Sequence, residues 1–237
     1  MSPNPSPKDR SSGARPRPAA LLAAGLAAWA LFALTCWLVL TGRGAALDSA
    51  GLLFWRAGAE LRPRGPAWLL EAVRDLTALG GVLLRDLAVI FAAMVLLRLR
   101  RARAALVLIG TVIAGWVVEA AIKGLVGRAR PQIVPHLTEA GGASFPSGHS
   151  FNAALVYLAL ALAFGTGPAN RRALAAGAMA LSFAIALSRV WLGVHFPSDA
   201  LAGWLGGTAW AFTAAALFDR PARAAAPALR PDRPPCR

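Results

Sequence analysis

Residues 188–199, SRVWLGVHFPSD, set Arg189, His195 and Asp199 beside long apolar runs, and Asp199 is the only carboxylate between Glu139 and Asp219. A histidine and an aspartate four apart, where a helix opens, let the carboxylate hydrogen-bond one imidazole nitrogen and fix the tautomer that presents the other. Upstream, KGLVGRARP (123–131) gathers Lys123, Arg128 and Arg130 ahead of Pro131, which stops a helix. The chain has two lysines against 23 arginines, so a lysine here points to a need for a compact ammonium. Its plainer reading is a boundary anchor paired with Glu119 one turn earlier. SFPSGHS (144–150) precedes another apolar block. Its helix start leaves free N–H groups that receive oxyanions, Gly148 lets the backbone come close, and His149 projects into the same place.

Cations gathered at a bilayer boundary are costly unless an anion joins them. A phosphoryl group suits the set: arginine forks and backbone N–H groups take its oxygens, and an oriented imidazole attacks in line. A second histidine, with an unperturbed pKa near ~6.5, can protonate the departing oxygen. No acidic cluster is left to hold Mg²⁺ or Zn²⁺ once Asp199 serves His195, so no metal or other cofactor is expected and covalent catalysis through a phosphohistidine is the natural route.

The elements that must position these groups are membrane helices. The chain is 57% hydrophobic and 15% charged over 237 residues, with apolar blocks long enough to cross a bilayer. The fold class expected is all-α, a polytopic bundle of six spans at 19–41, 76–97, 104–122, 149–166, 172–190 and 198–218. Arg85 and Asp86 interrupt the second span, and five spans with an interfacial second segment is the fallback. The basic segments at the N-terminal tail, RLRRAR (98–103), Arg171–Arg172 and the C-terminal tail then share one side, which is cytoplasmic. The loops at 42–75, 123–148 and 189–198 face outward with all three motifs. Residues 1–18 and 219–237 read as disordered basic tails around a single domain at 19–218. The net charge of +14 is explained by topology, and no nucleic-acid partner is expected. Cys36 and Cys236 lie at opposite ends and imply neither a disulfide framework nor a metal site.

KGLVGRARP, PSGH and SRVWLGVHFPSD together resemble the three ordered signatures of the type 2 phosphatidic acid phosphatase superfamily, which also contains vanadium haloperoxidases. Every fixed position of that pattern is met. The resemblance implies His195 as nucleophile, Asp199 as its orienting partner and His149 as general acid, with Lys123, Arg130, Arg189, Ser147 and Gly148 holding the phosphoryl oxygens. Arg128 and Ser188 share the motifs without an assigned role, and Pro131 and Pro146 shape the loops.

The expectation is a phosphatase of the inner (cytoplasmic) membrane that removes phosphate from a lipid phosphate or pyrophosphate at the outer face. The substrate class spans undecaprenyl pyrophosphate, phosphatidylglycerol phosphate and phosphatidic acid. A lipid phosphotransferase would share the first half-reaction. A haloperoxidase would be soluble, and a non-catalytic carrier of anionic lipid would not need the His195–Asp199 pair. His136 reads as a loop histidine and Glu119 as a packing partner. Gly203 and Gly207 read as a close helix contact, leaving a homo-oligomer open. Trp55 and Trp68 read as interfacial anchors.

Overall fold

The uncharged run after the first tail forms the first helix of a computed structural model, which describes residues 18–218. The tail assignments fall outside those residues, apart from Pro18. In chain order the elements are α1 (Pro18–Leu40), α2 (Ala45–Leu53), β1 (Arg56–Ala57), β2 (Arg62–Pro63), α3 (Ala67–Ala78), α4 (Val82–Arg98), α5 (Ala102–Val126), α6 (Gly148–Phe164), α7 (Pro168–Trp191) and α8 (Pro197–Phe218). The two strands form only a short antiparallel hairpin, Arg56 opposite Pro63. The fold is an all-α membrane helical bundle.

α6 is the axis. Every residue from Ser150 to Val156 is buried, so its apolar character runs all round the helix. α4, α5, α7 and α8 pack around it, and α1 lies along α8. Leu26, Leu31 and Leu34 of α1, Phe91 of α4 and Leu106 and Val117 of α5 point outward. That is what helices facing lipid must do, since lipid rewards apolar surface as well as a protein core does.

Gly203 and Gly207 pack closely on α6. A Cβ on Gly207 would run into the carbonyl oxygen of Phe151, and one on Gly203 would lie 3.1 Å from the amide nitrogen of Phe151. The small-residue stripe therefore seats α8 on α6 within the chain.

Among the described residues four helices are long and apolar enough to cross a membrane: α1, α5, α7 and Pro197–Leu217 of α8. α3 and α4 together make a fifth if their 43° bend is counted as a broken span, and α6, at 17 residues, is shorter. Two glycines sit at the break at 79–81. A Cβ on Gly80 would lie 2.6 Å from Ile185 Cγ2, and one on Gly81 2.9 Å from the carbonyl oxygen of Ala78, so only glycine fits either place. Beyond the bend Arg85 turns inward, 5% exposed.

Candidate active site

Chain direction brings the motifs together. α5 ends with Lys123 in its last turn, α6 begins at Gly148, α7 ends with Arg189 in its last turn and α8 begins at Pro197. All four ends therefore lie at one end of the bundle. The arginines at 98–103 and 171–172 lie at the other ends of the same helices.

His195 sits in the tight connection between α7 and α8, 2% exposed. The expected direct bond to Asp199 is not made: Nδ1 lies 3.7 Å from Oδ2. α8 starts only at Pro197, so His195 is outside the helix and i,i+4 helix geometry does not apply to it. Ser144 stands between them instead. Its Oγ is 3.3 Å from His195 Nδ1 and donates to Asp199 Oδ2 across 2.5 Å. On the other side of the ring, Arg130 Nη1 donates toward His195 Nε2 at 3.1 Å. A guanidinium only donates, so Nε2 is the acceptor and Nδ1 carries the proton.

Arg130 is pinned by three carbonyls, those of Val194, Gly141 and Gly142, at 2.8, 2.6 and 3.1 Å. Burial lowers its pKa, with Asp199 opposing. Burial also works against the charge of His195, and Arg130 and Arg189 add to the effect, so its pKa falls to about 4 although Asp199 opposes. The imidazole is neutral at ordinary pH, which leaves the Nε2 lone pair available.

Asp199 is held from several sides. Phe196 N donates to Oδ2 at 3.0 Å and Arg128 Nη1 to Oδ1 at 2.6 Å. Arg128 also donates to Asp48 Oδ2 at 2.7 Å and lies over the Phe196 ring. Burial disfavours its charge, but Asp48 and Asp199 outweigh that and raise its pKa. Asp48, 2% exposed on α2, additionally accepts from Ser198 N at 2.9 Å and Ser198 Oγ at 2.7 Å. It thereby satisfies donors at the start of α8 from a distant part of the chain.

Arg189, 3% exposed, donates through Nη1 to Thr77 Oγ1 at 3.0 Å, while its Nε has no partner. Lys123 Nζ lies 2.8 Å from Glu119 Oε1, as the i,i+4 spacing suggested. A Cβ on Gly148 would be 3.2 Å from that Nζ and 3.0 Å from the carboxylate, so both groups stand at the start of α6. Ser147 is fully buried as the N-cap, its Oγ accepting from Ser150 Oγ at 3.0 Å. His149 packs its Cδ2 edge toward Gly80 and makes no hydrogen bond to a described residue. The residues expected of the site are thus all at one end of the bundle, around the start of α6 and the α7–α8 connection.

Three other residues complete it. Ser144 and Arg128 lie inside the motif stretches without an assigned role, whereas Asp48 carried only one signal, a lone charge in AALDSAGLL. His136 is a loop histidine, 2.7 Å from the Pro131 carbonyl. Trp55 is partly buried against Trp191 and Leu192, while Trp68 is exposed. Among the described residues no three His, Cys, Asp or Glu side chains form a metal-binding group.

Comparison with known proteins agrees with this geometry. A family model described as the PAP2 superfamily matches residues 102–223. Phosphatidylglycerophosphatase B of Bacillus subtilis is 39% identical over 89 residues, 35% of this chain and 42% of that one. Lipid A 1-phosphatase of Rhizobium johnstonii is 34% identical over 108 residues, 42% of this chain and 41% of that one. The match thus spans less than half the length of these curated relatives. The crystal structure of a transmembrane PAP2-type phosphatidylglycerolphosphate phosphatase from Bacillus subtilis superposes with a TM-score of 0.75 at 23% identity, over 85% of this chain and 98% of that one. Aquifex aeolicus LpxE superposes with a TM-score of 0.52 at 25% identity, over 64% and 87%.

Proposed function

Since the chain belongs to the PAP2 superfamily, we propose that it is an integral membrane phosphatase that removes phosphate from a lipid phosphate or pyrophosphate at the outer face of the cytoplasmic membrane. The observation that carries this reading is the buried His195 imidazole, backed at Nδ1 by Ser144 and Asp199 and met at Nε2 by Arg130. Two relatives named for lipid phosphates support the substrate class, which includes phosphatidylglycerol phosphate, undecaprenyl pyrophosphate and phosphatidic acid. So does the position of Lys123, His149 and Arg189 at the ends of apolar helices. The outward orientation rests on the arginines at the far end of the bundle.

In the mechanism, the transferred phosphoryl group takes its oxygens to Lys123, Arg130, Arg189 and the N–H groups at the start of α6, near Gly148. Arg130 exchanges its contact with Nε2 for a phosphoryl oxygen, which frees the lone pair. Nε2 forms the N–P bond as the P–O bond to the lipid breaks, and His149, which holds a proton only when the phosphate's negative charge is bound beside it, gives that proton to the departing oxygen. The positive charge that develops on His195 is met through Nδ1–H by Ser144 and Asp199. In the second half-reaction His149, now neutral, takes a proton from water. The new O–P bond replaces N–P, and inorganic phosphate leaves.

The test is phosphate release by the full chain in detergent with EDTA, offering the three lipids to wild type and His195→Ala. Release by wild type alone supports metal-independent histidine catalysis. Release by both proteins reassigns the nucleophile. Binding without release by either favours a lipid carrier, and product formation that depends on an added alcohol favours phosphotransfer.

A further inference from the structure

Arg85 belongs to none of the motifs, yet it is 5% exposed in the first turn of α4. Its Nε reaches Asp86 Oδ1 at 3.2 Å, and its Cζ lies 5.2 Å from the centre of the Trp116 ring. Neither terminal nitrogen donates to a described residue. Next to it the Trp116 indole N–H is buried and also without an acceptor. A buried guanidinium held by one neighbouring carboxylate and a ring face still has unfilled terminal donors, and these beside a buried indole N–H suit an anion.

Its place relative to the chemistry is set by the α3–α4 bend. Gly80, in the bend, lies against His149: a Cβ there would be 3.5 Å from Cδ2. Tyr157 of α6 ties the same bend down, its hydroxyl donating to the Leu79 carbonyl at 2.7 Å. Arg85 follows one turn later, its N–H donating to Gly81 O. Arg130 contacts His195 on the nucleophile's side, whereas the bend that leads into Arg85 lies against His149, the proposed acid toward the leaving oxygen.

We propose that Arg85 and the Trp116 N–H form a second anion subsite on the leaving-group side, which binds a phosphate carried by the leaving group itself. The inference rests on the phosphatase reading and narrows its substrates to lipids bearing two phosphates close together. The second phosphate comes either from a diphosphate or from the phosphodiester of a glycerophosphate headgroup. Phosphatidic acid, a lone monoester, leaves the subsite empty.

The test compares kcat/KM of the full chain in detergent for undecaprenyl pyrophosphate, phosphatidylglycerol phosphate and phosphatidic acid in wild type, Arg85→Met and Arg85→Lys. Loss of a charge-assisted contact is expected to lower the ratio of a two-phosphate substrate to phosphatidic acid by about tenfold to a hundredfold in Arg85→Met. Arg85→Lys keeps a charge but loses the fork, so it should fall between, and it decides the matter if the methionine variant does not fold. A drop confined to the diphosphate names the diphosphate as occupant, and one confined to the glycerophosphate names the diester. An unchanged ratio overturns the subsite, whether all rates fall together or none falls.

If wild type releases phosphate from no lipid, the phosphatase reading fails separately. Protection from thermal unfolding by inorganic pyrophosphate and by inorganic phosphate then decides the subsite. Pyrophosphate should protect wild type more than phosphate does and lose that advantage in Arg85→Lys, and equal protection of wild type by the two overturns the proposal.

Discussion

Ser144 donates its hydroxyl proton to Asp199 Oδ2 across 2.5 Å, and so its oxygen faces His195 Nδ1 as the acceptor the imidazole needs. The histidine and the carboxylate communicate through this hydroxyl, not by direct contact. The consequence for catalysis is that both partners of the relay matter.

Ser144→Ala should lower kcat with little change in KM, because in the proposed mechanism the charge on His195 develops only as the phosphoryl group transfers. Loss of one charge-assisted hydrogen bond, about 1.5–3 kcal/mol, corresponds to about tenfold to a hundredfold. Steady-state kinetics of Ser144→Ala beside Asp199→Asn checks this, and a Ser144→Ala enzyme with wild-type kcat would show that the hydroxyl is a bystander.

The depressed pKa of His195 gives the pH dependence. The imidazole stays neutral until the pH approaches about 4, so the acid limb that His195 contributes to kcat/KM should lie well below 6.5. Stability follows the same group. Between pH 6.5 and about 4 the unfolded chain binds a proton that the native site refuses, so stability falls as pH falls through that window and levels off below it. Rate profiles and thermal midpoints across pH 4 to 8 test both parts.

Asp48→Ala should destabilise the protein and impair catalysis together. It strips acceptors from Ser198 N, Ser198 Oγ and one arm of Arg128. Removing one partner of a buried ion pair costs about 3–5 kcal/mol, and the partial exposure of Arg128 places this case near the lower end. A lowered thermal midpoint together with reduced kcat would agree, whereas unchanged values of both would show that Arg128 holds Asp199 unaided.

Gly207→Val should prevent normal assembly of the bundle, since even its Cβ would meet the Phe151 carbonyl oxygen. Gly110→Ala is the control: nothing lies within 4 Å of the added carbon, and alanine is the better helix former by about 0.8–1.0 kcal/mol. Detergent-extracted yield and thermal midpoint should collapse for the first and hold or rise for the second.

Local spacing made much of this protein legible. Lys123 and Glu119, four apart on one helix, pair as that spacing suggests, and Gly203 and Gly207 make the close contact expected of small residues one turn apart. The identity and order of the three motifs, and apolar runs that only a bilayer or a buried core could satisfy, placed the chain among membrane helical proteins. The second span is the least legible, because Arg85 and Asp86 interrupt its apolar run and the close contacts of Gly80 and Gly81 at the break exist only in the packed bundle.

Tertiary structure decided what sequence distance hides. Asp48 meets Ser198 across 150 positions, Arg189 meets Thr77 across 112 and Ser144 meets Asp199 across 55. No periodicity records such pairs, because each depends on where a helix happens to end relative to another. The sequence by itself determined which residues could perform the chemistry, since residue type fixes charge, proton affinity and hydrogen-bonding capacity. Only the packed bundle decided which of them touch, because buried polar groups must find partners and close packing leaves each one few places to look.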